Sequence, residues 1–182
     1  MATHIGLLRA VNLPGHNKVG MKELCGLLPE LGLEDGRSLL QSGNLVFRTG
    51  GGRTSARLER ALEDAARARL GLETDFFVRT AADWTAMMAA NPFPDEARRD
   101  PSHLLVMFLK AAPDRDRVTA LERAIAGREM VRVNGRHAYF TFPDGIGPSR
   151  LTSKVIEKNL ETRGTGRNWN TVLKLAALMT SD

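Results

Sequence analysis

Residues 130–142 read MVRVNGRHAYFTF. Two runs of alternating side chains flank Asn134-Gly135, the preferred central pair of a type I′ turn, so the stretch predicts a β-hairpin with that pair at its tip. Upstream, the apolar run HLLVMFL at 103–109 predicts a strand. Between them, Val118, Leu121 and Ile125 recur at helical spacing and predict an inward-facing helix over 114–126. Downstream, the loop FPDGIGPSR leads to a helix over 152–160, started by Thr152 or Ser153, with Val155, Ile156 and Leu160 apolar. The segment RGTGRNWN then reads as a loop that opens a last helix over 171–179.

The same order, strand, helix, hairpin, helix, is legible in the first half. HIGLLRAV at 4–11 reads as a strand. Met21, Leu24, Leu27, Leu28 and Leu31 predict a helix over 20–31, in which Pro29 forces a kink or an early end near Leu28. Short runs at 37–41 and 44–49 flank Ser42-Gly43 as a hairpin. A helix over 54–70 follows, capped by Thr54 or Ser55 and stopped by Gly71, and TDFFVR at 74–79 makes a fourth strand. The expected fold class is α+β: two ferredoxin-like units, the second ending in an extra loop and helix where the first has its fourth strand. The expected boundaries are 1–81 for the first unit, 82–101 for a connecting helix and linker, and 102–182 for the second. Asp83 is expected to cap the connecting helix, and Asn91-Pro92-Phe93-Pro94 to end it. Only the order of elements repeats at this level; no residue-by-residue repeat is visible.

Composition bounds the function. Over 182 residues, 42% are hydrophobic and 26% charged, a globular balance. No apolar run approaches the roughly 20 residues that span a bilayer, and no leader pattern opens the chain, so a soluble cytoplasmic protein is expected, with no membrane partner. A lone Cys25 excludes an internal disulfide framework. His4, His16, His103 and His137 show no metal-ligand spacing, so no metal or cofactor is expected. The net charge of +5 lies at the ends: residues 1–22 carry +3, residues 145–182 carry +3, and the middle is close to neutral. A localised excess of that kind points to an anionic partner.

Two glycine-containing segments combine such charge with helix starts. In 163–171, Arg163 and Arg167 supply forked donors, Asn168, Asn170 or Thr171 can cap, and Trp169 can pack; Lys174 lies one turn on. In 145–154, GIGPSRLTSK places Arg150 and Lys154 one turn apart beside a helix start. A third group, Arg9, Asn12, His16, Asn17 and Lys18, surrounds a strand-to-loop corner beside Ser42-Gly43-Asn44. No nucleophile and base form a signature: His16, His137, Ser42, Ser149 and Cys25 stand apart. An RNA-stacking face on Tyr139, Phe140 and Phe142 lacks the glycine and spacing of that module.

The runs LLRAVNLPGHNKVGMKELCGLLPELGL, QSGNLVF, NPF, FPDGIGPSRLT and TGRNWNTVLKL together resemble the uncharacterised bacterial family known as domain of unknown function 1697. The resemblance implies two ferredoxin-like units and no assigned activity. It marks Arg9, Asn12, Lys18, Gln41, Ser42, Gly43, Asn44, Gly145, Gly147, Ser149, Arg167, Asn168, Trp169, Asn170 and Lys174 as motif positions. Ala10, Pro14 and Pro29 depart from the family's pattern.

The leading expectation is a protein that binds an anionic ligand, a nucleotide or nucleic acid backbone, through Arg9, Asn12, Lys18, Ser42, Asn44, Arg150, Lys154, Arg167, Asn168, Trp169, Asn170 and Lys174. Two alternatives stand beside it. One is an enzyme acting on a phosphorylated or carboxylated small molecule in an interdomain cleft; the other is a structural homodimer paired through open sheet faces, with no ligand.

Overall fold

The computed structural model describes residues 1–9, 19–40 and 43–180. Its contacts group Met1–Ala86 with Lys174–Asp182 as one unit and Met87–Leu173 as the other. The end of the last helix thus groups with the first half of the chain.

The first unit runs β1 (Ala2–Leu8), α1 (Met21–Glu30), β2 (Glu34–Leu39), β3 (Asn44–Thr49), α2 (Ser55–Leu70), β4 (Phe76–Thr80) and into α3 (Ala81–Ala89). The sheet order β2-β3-β1-β4, antiparallel throughout, is the ferredoxin-like plait. Ile5 on β1 lies opposite Val46 of β3 and Arg79 of β4. Leu24, Leu27 and Leu28 from α1 and Leu58, Leu62 and Ala66 from α2 form one core with Leu45, Phe47, Phe76 and Val78. Each large apolar side chain removed from water there contributes roughly 1.5–3 kcal/mol. α2 is closed at both ends: Thr54 Oγ1 accepts from Arg57 N, and Leu72 N donates back to Ala66 O past a left-handed Gly71.

Three expectations for this unit are corrected. α1 passes through Pro29 to Glu30, because a proline in the last turn sacrifices a single helical bond and Gly32 N–H then closes on the Pro29 carbonyl. β2 begins at Glu34, ahead of an irregularity between Glu34 and Arg37. α3 begins at Ala81, since Thr80 and Asp83 cap each other: Asp83 N donates to Thr80 Oγ1 at 3.0 Å and Thr80 N to the Asp83 carboxylate at 3.1 Å.

The second unit contains α4 (Pro94–Arg99), β5 (Leu104–Leu109), α5 (Arg115–Ala124), β6 (Met130–Asn134), β7 (His137–Thr141), α6 (Ser153–Leu160), β8 (Gly164–Asn168) and the start of α7 (Trp169–Thr180). Its sheet order, β6-β7-β5-β8, repeats that of the first. The expected loop after α6 is therefore a strand. Gly164 and Gly166 hide it from a propensity reading, yet they suit its place beside β5: a Cβ on Gly164 would stand 2.9 Å from Met107 Cε and 3.0 Å from Leu109 Cδ2, and one on Gly166 would stand 3.1 Å from the Leu105 methyls. Large side chains of the neighbouring strand fill the space the glycines leave.

The linker also holds α4, which starts on Pro94, a residue suited to a first helical position because its missing N–H is unpaired there anyway. In the second hairpin, Asn134 pairs with His137, so the turn is Gly135-Arg136 and only Gly135 has positive φ. That is the type II′ arrangement in place of the expected type I′.

The two units also share a helix-to-strand hydrogen bond. Glu63 of α2 accepts from Phe76 N at the start of β4, and Glu157 of α6 accepts from Gly164 N at the start of β8, both at 2.9 Å. In both sheets the face turned away from the helical core is buried as well, through Ile5, Leu7, Val46 and Phe77 in one and Val106, Phe108 and Tyr139 in the other.

Candidate functional site

The first-loop group is only partly described. Asn12, His16, Asn17, Lys18, Gln41 and Ser42 lie outside the described residues. Arg9 and Asn44 come to the same end of the first sheet, where Leu8 N–H donates to the Gly43 carbonyl and Leu7 faces Asn44. Both are engaged locally. Arg9 exchanges backbone contacts with Asp75 and Thr74 and holds its guanidinium 3.7 Å from the Asp75 carboxylate. Asn44 is fully buried and donates from Nδ2 to the Leu39 carbonyl at 2.9 Å, which ties the ends of the hairpin.

The segment around Arg167 is turned inward. Arg167 Nη1 donates to Thr165 Oγ1 at 2.8 Å and to the Gly166 carbonyl at 2.9 Å, and its burial pulls the guanidinium down to about 10, so it is still charged at neutral pH. Asn168 is the cap of α7, accepting from Thr171 N at 3.0 Å. Trp169 is buried, and its backbone N–H donates to the Pro101 carbonyl. Asn170 and Lys174 are exposed, as is Arg163 at the start of the segment.

The loop of residues 142–152 is different. Gly145 takes φ +93°, and its N–H returns to the Phe142 carbonyl. Ser149 Oγ hydrogen-bonds the Glu129 carboxylate and accepts from Leu151 N, and Arg128 clasps Asp144. That clasp holds the Asp144 carboxyl below its ordinary range. These bonds frame a cleft of about 290 Å³ lined by Gly127, Glu129, Gly145, Pro148, Ser149 and Arg150 among others. Thr152 caps α6 by accepting from Val155 N. Arg150 and Lys154 are exposed, and among the described residues neither side chain has an ion pair or hydrogen bond. The loop thus has fixed ends and two cations whose charge no side chain answers.

The sequence reading missed three features. Arg79 is buried, 3.6 Å from the buried Glu59 carboxylate. His103 Nδ1 lies 2.6 Å from Asp100 Oδ2, with Ser102 Oγ on the other Asp100 oxygen. Thr141 Oγ1 is buried with no hydrogen-bond partner. For the His103 pair the spacing Asp-x-x-His across Pro101 was an available signal; for the other two, burial depends on tertiary packing. Tyr139, Phe140 and Phe142 are all buried, so no stacking platform is presented. Among the described residues no group of three potential ligands could hold a metal, and no helix is long and apolar enough to cross a membrane.

Fold and register thus define a chain of two ferredoxin-like units with an internally matched residue pattern. It belongs to the family described as protein of unknown function (DUF1697), whose model matches residues 1–139. The chain is similar in structure to the conserved bacterial protein SP0830 from Streptococcus pneumoniae, with a TM-score of 0.76, 24% sequence identity, and coverage of 98% of this chain and 99% of that one. None of the curated proteins matches it.

Proposed function

We propose that the protein binds a phosphate-bearing anion, a nucleotide or a nucleic acid backbone, at the loop of residues 145–154, with Arg150 and Lys154 as the contacting cations. One observation carries this reading: Arg150 lines a cleft whose two carboxylates are both engaged, Asp144 with Arg128 and Glu129 with Ser149, while Arg150 has no side-chain partner among the described residues. A guanidinium with all its donors unsatisfied by protein matches phosphate geometry. Arg167, which the sequence favoured as a contact, is assigned to the interior, and Asn170 and Lys174 remain as exposed members of the original group.

Titration calorimetry with inorganic phosphate, ATP and a short single-stranded RNA, at low and moderate salt, tests the reading. Binding of at least one of them, weakened by Arg150→Ala and by Lys154→Ala while the fold is kept, supports it. No heat with any of the three at low salt overturns it.

A further inference from the structure

The loop of residues 142–152 has a counterpart in the first unit. In element order, β7, this loop and α6 stand where β3, residues 50–54 and α2 stand there. Both loops end on a threonine cap, Thr54 or Thr152, whose Oγ1 accepts from the N–H three residues on. The helices ahead of the two hairpins, α1 and α5, are each followed by an apolar residue, Leu31 or Ile125. In the first unit an arginine of the loop closes that helix end, Arg53 Nη1 donating to the Leu31 carbonyl. In the second unit the corresponding place has no donor. Among the described residues no group donates to the Ile125 carbonyl, and Ile125 lines the same cleft as Arg150.

A helix C-terminus is the negative end of the helix dipole and leaves carbonyls without partners, so it calls for N–H donors. Glu129 adds to that call: its Oε1 takes the Ser149 hydroxyl, and its Oε2 has no partner among the described residues. Gly127 leaves room for this carboxylate just past the end of α5, where a Cβ would collide with it. The other carboxylate of the cleft, Asp144, is clasped by Arg128. The cleft thus leaves acceptors unanswered beside one cation, Arg150, and a phosphate by itself answers only the cation.

We infer that the cleft takes the base of a guanine nucleotide, its N–H edge on Glu129 and the Ile125 carbonyl, with the phosphate outside on Arg150. This rests on the phosphate reading above and names the nucleotide. The edge of guanine that carries the ring N–H and the 2-amino group is itself a guanidine, the group that Arg53 supplies at the helix end of the first unit. A carboxylate accepts its two parallel N–H donors as it accepts those of arginine. Hypoxanthine lacks the 2-amino group, and adenine sets a ring acceptor beside its one amino group, which would face Glu129 unfavourably. A cleft of about 290 Å³, at the small end of ligand sites, suits a base with its phosphate outside, and Pro148 and Leu151 give its wall apolar surface.

The test is titration calorimetry of the full chain at low salt with the monophosphates of guanosine, inosine and adenosine. Guanosine monophosphate is expected to bind about ten-fold more tightly than either of the others. Glu129→Gln, which removes the anion and keeps an acceptor for Ser149, should bring guanosine monophosphate to within about two-fold of inosine monophosphate. Should that variant fail to fold, the wild-type comparison decides alone. Equal binding of the three nucleotides by the wild type, or an undiminished guanine preference in folded Glu129→Gln, overturns this inference and leaves phosphate binding at Arg150 standing. No binding of any of the three overturns both.

Discussion

Arg79 and Arg167 occupy the same place in the two sheets. Each is the penultimate residue of the fourth strand of its unit, Arg79 facing Ile5 on β1 and Arg167 facing Val106 on β5, and each is buried. Each precedes a helix cap, Thr80 or Asn168, that accepts from the N–H three residues on at 3.0 Å. Four residues after each cap stands a fully buried side chain, Trp84 or Val172. The segment at 167–170 is therefore half of a repeated structural device, in which a buried guanidinium and a capped helix end the sheet.

This equivalence sets an order of stabilities. Arg79→Met removes the partner of a buried carboxylate, Glu59, and is expected to cost about 3 kcal/mol or more. Arg167→Met gives up its bonds to Thr165 and Gly166 but also removes a charge that burial disfavours, so a smaller loss of about 1–2 kcal/mol is expected. Urea unfolding of both variants measures the order. Adding Glu59→Gln to Arg79→Met should recover part of the first loss.

The single tyrosine gives an unobstructed optical probe. Tyr139 donates to the Met87 carbonyl at 2.7 Å, and desolvation raises its pKa from 10.0 to about 12. The folded state thus keeps a proton that the unfolded state releases first. The stability this contributes is full below pH 10 and is lost as pH rises from there through 12. Phenolate absorbance in the folded protein should rise near pH 12, and after unfolding in denaturant near pH 10. Tyr139→Phe leaves the carbonyl without this donor and is expected to cost about 1–3 kcal/mol.

At the acid end, two exposed carboxylates are held below their ordinary value of 3.8, Asp144 chiefly by its hydrogen bond to Arg128 and Asp100 chiefly by Ser102 and then His103. A depressed folded value means stability that is present above 3.8 and lost as pH falls through the lower folded value. Arg128→Ala is expected to flatten the fall of the thermal midpoint below pH 4. An unchanged slope would show that the clasp between Arg128 and Asp144 does not persist in solution.

The glycines of β8 give a steric prediction. Gly164→Val drives a branched side chain against Met107 and Leu109, and overpacking of this kind costs about 1–3 kcal/mol. Shortening Met107 to Ala in the same chain should return part of it, as a thermal melt would record.

The plait was legible wherever one strand face had to meet a core. The run at 103–109, the alternation at 130–142 and the apolar stripes of α2 and α5 each fixed an element from local pattern alone. β8 was not legible, because TGRN has neither alternation nor β-propensity; its glycines make sense only beside Leu105 and Met107 of β5. α4 escaped because two prolines and a run of charges look like linker. The site was read less well than the fold. Arginine, asparagine and glycine around 167 fit either a ligand or a buried cap, and burial, a tertiary property, decided for Arg167 and Trp169. Beside Arg150 and Lys154, the helix start was legible from Thr152, which caps it.

The most direct test of the phosphate-binding reading is the salt dependence of ATP or single-stranded RNA affinity in the wild type and in Arg150→Ala. A backbone contact through Arg150 predicts that the single-stranded RNA constant falls with salt at about 0.7 per phosphate engaged, and that the variant binds more weakly with a slope reduced by about one contact. Equal affinity and equal slope in the two proteins would contradict the assignment of Arg150 as the anion contact.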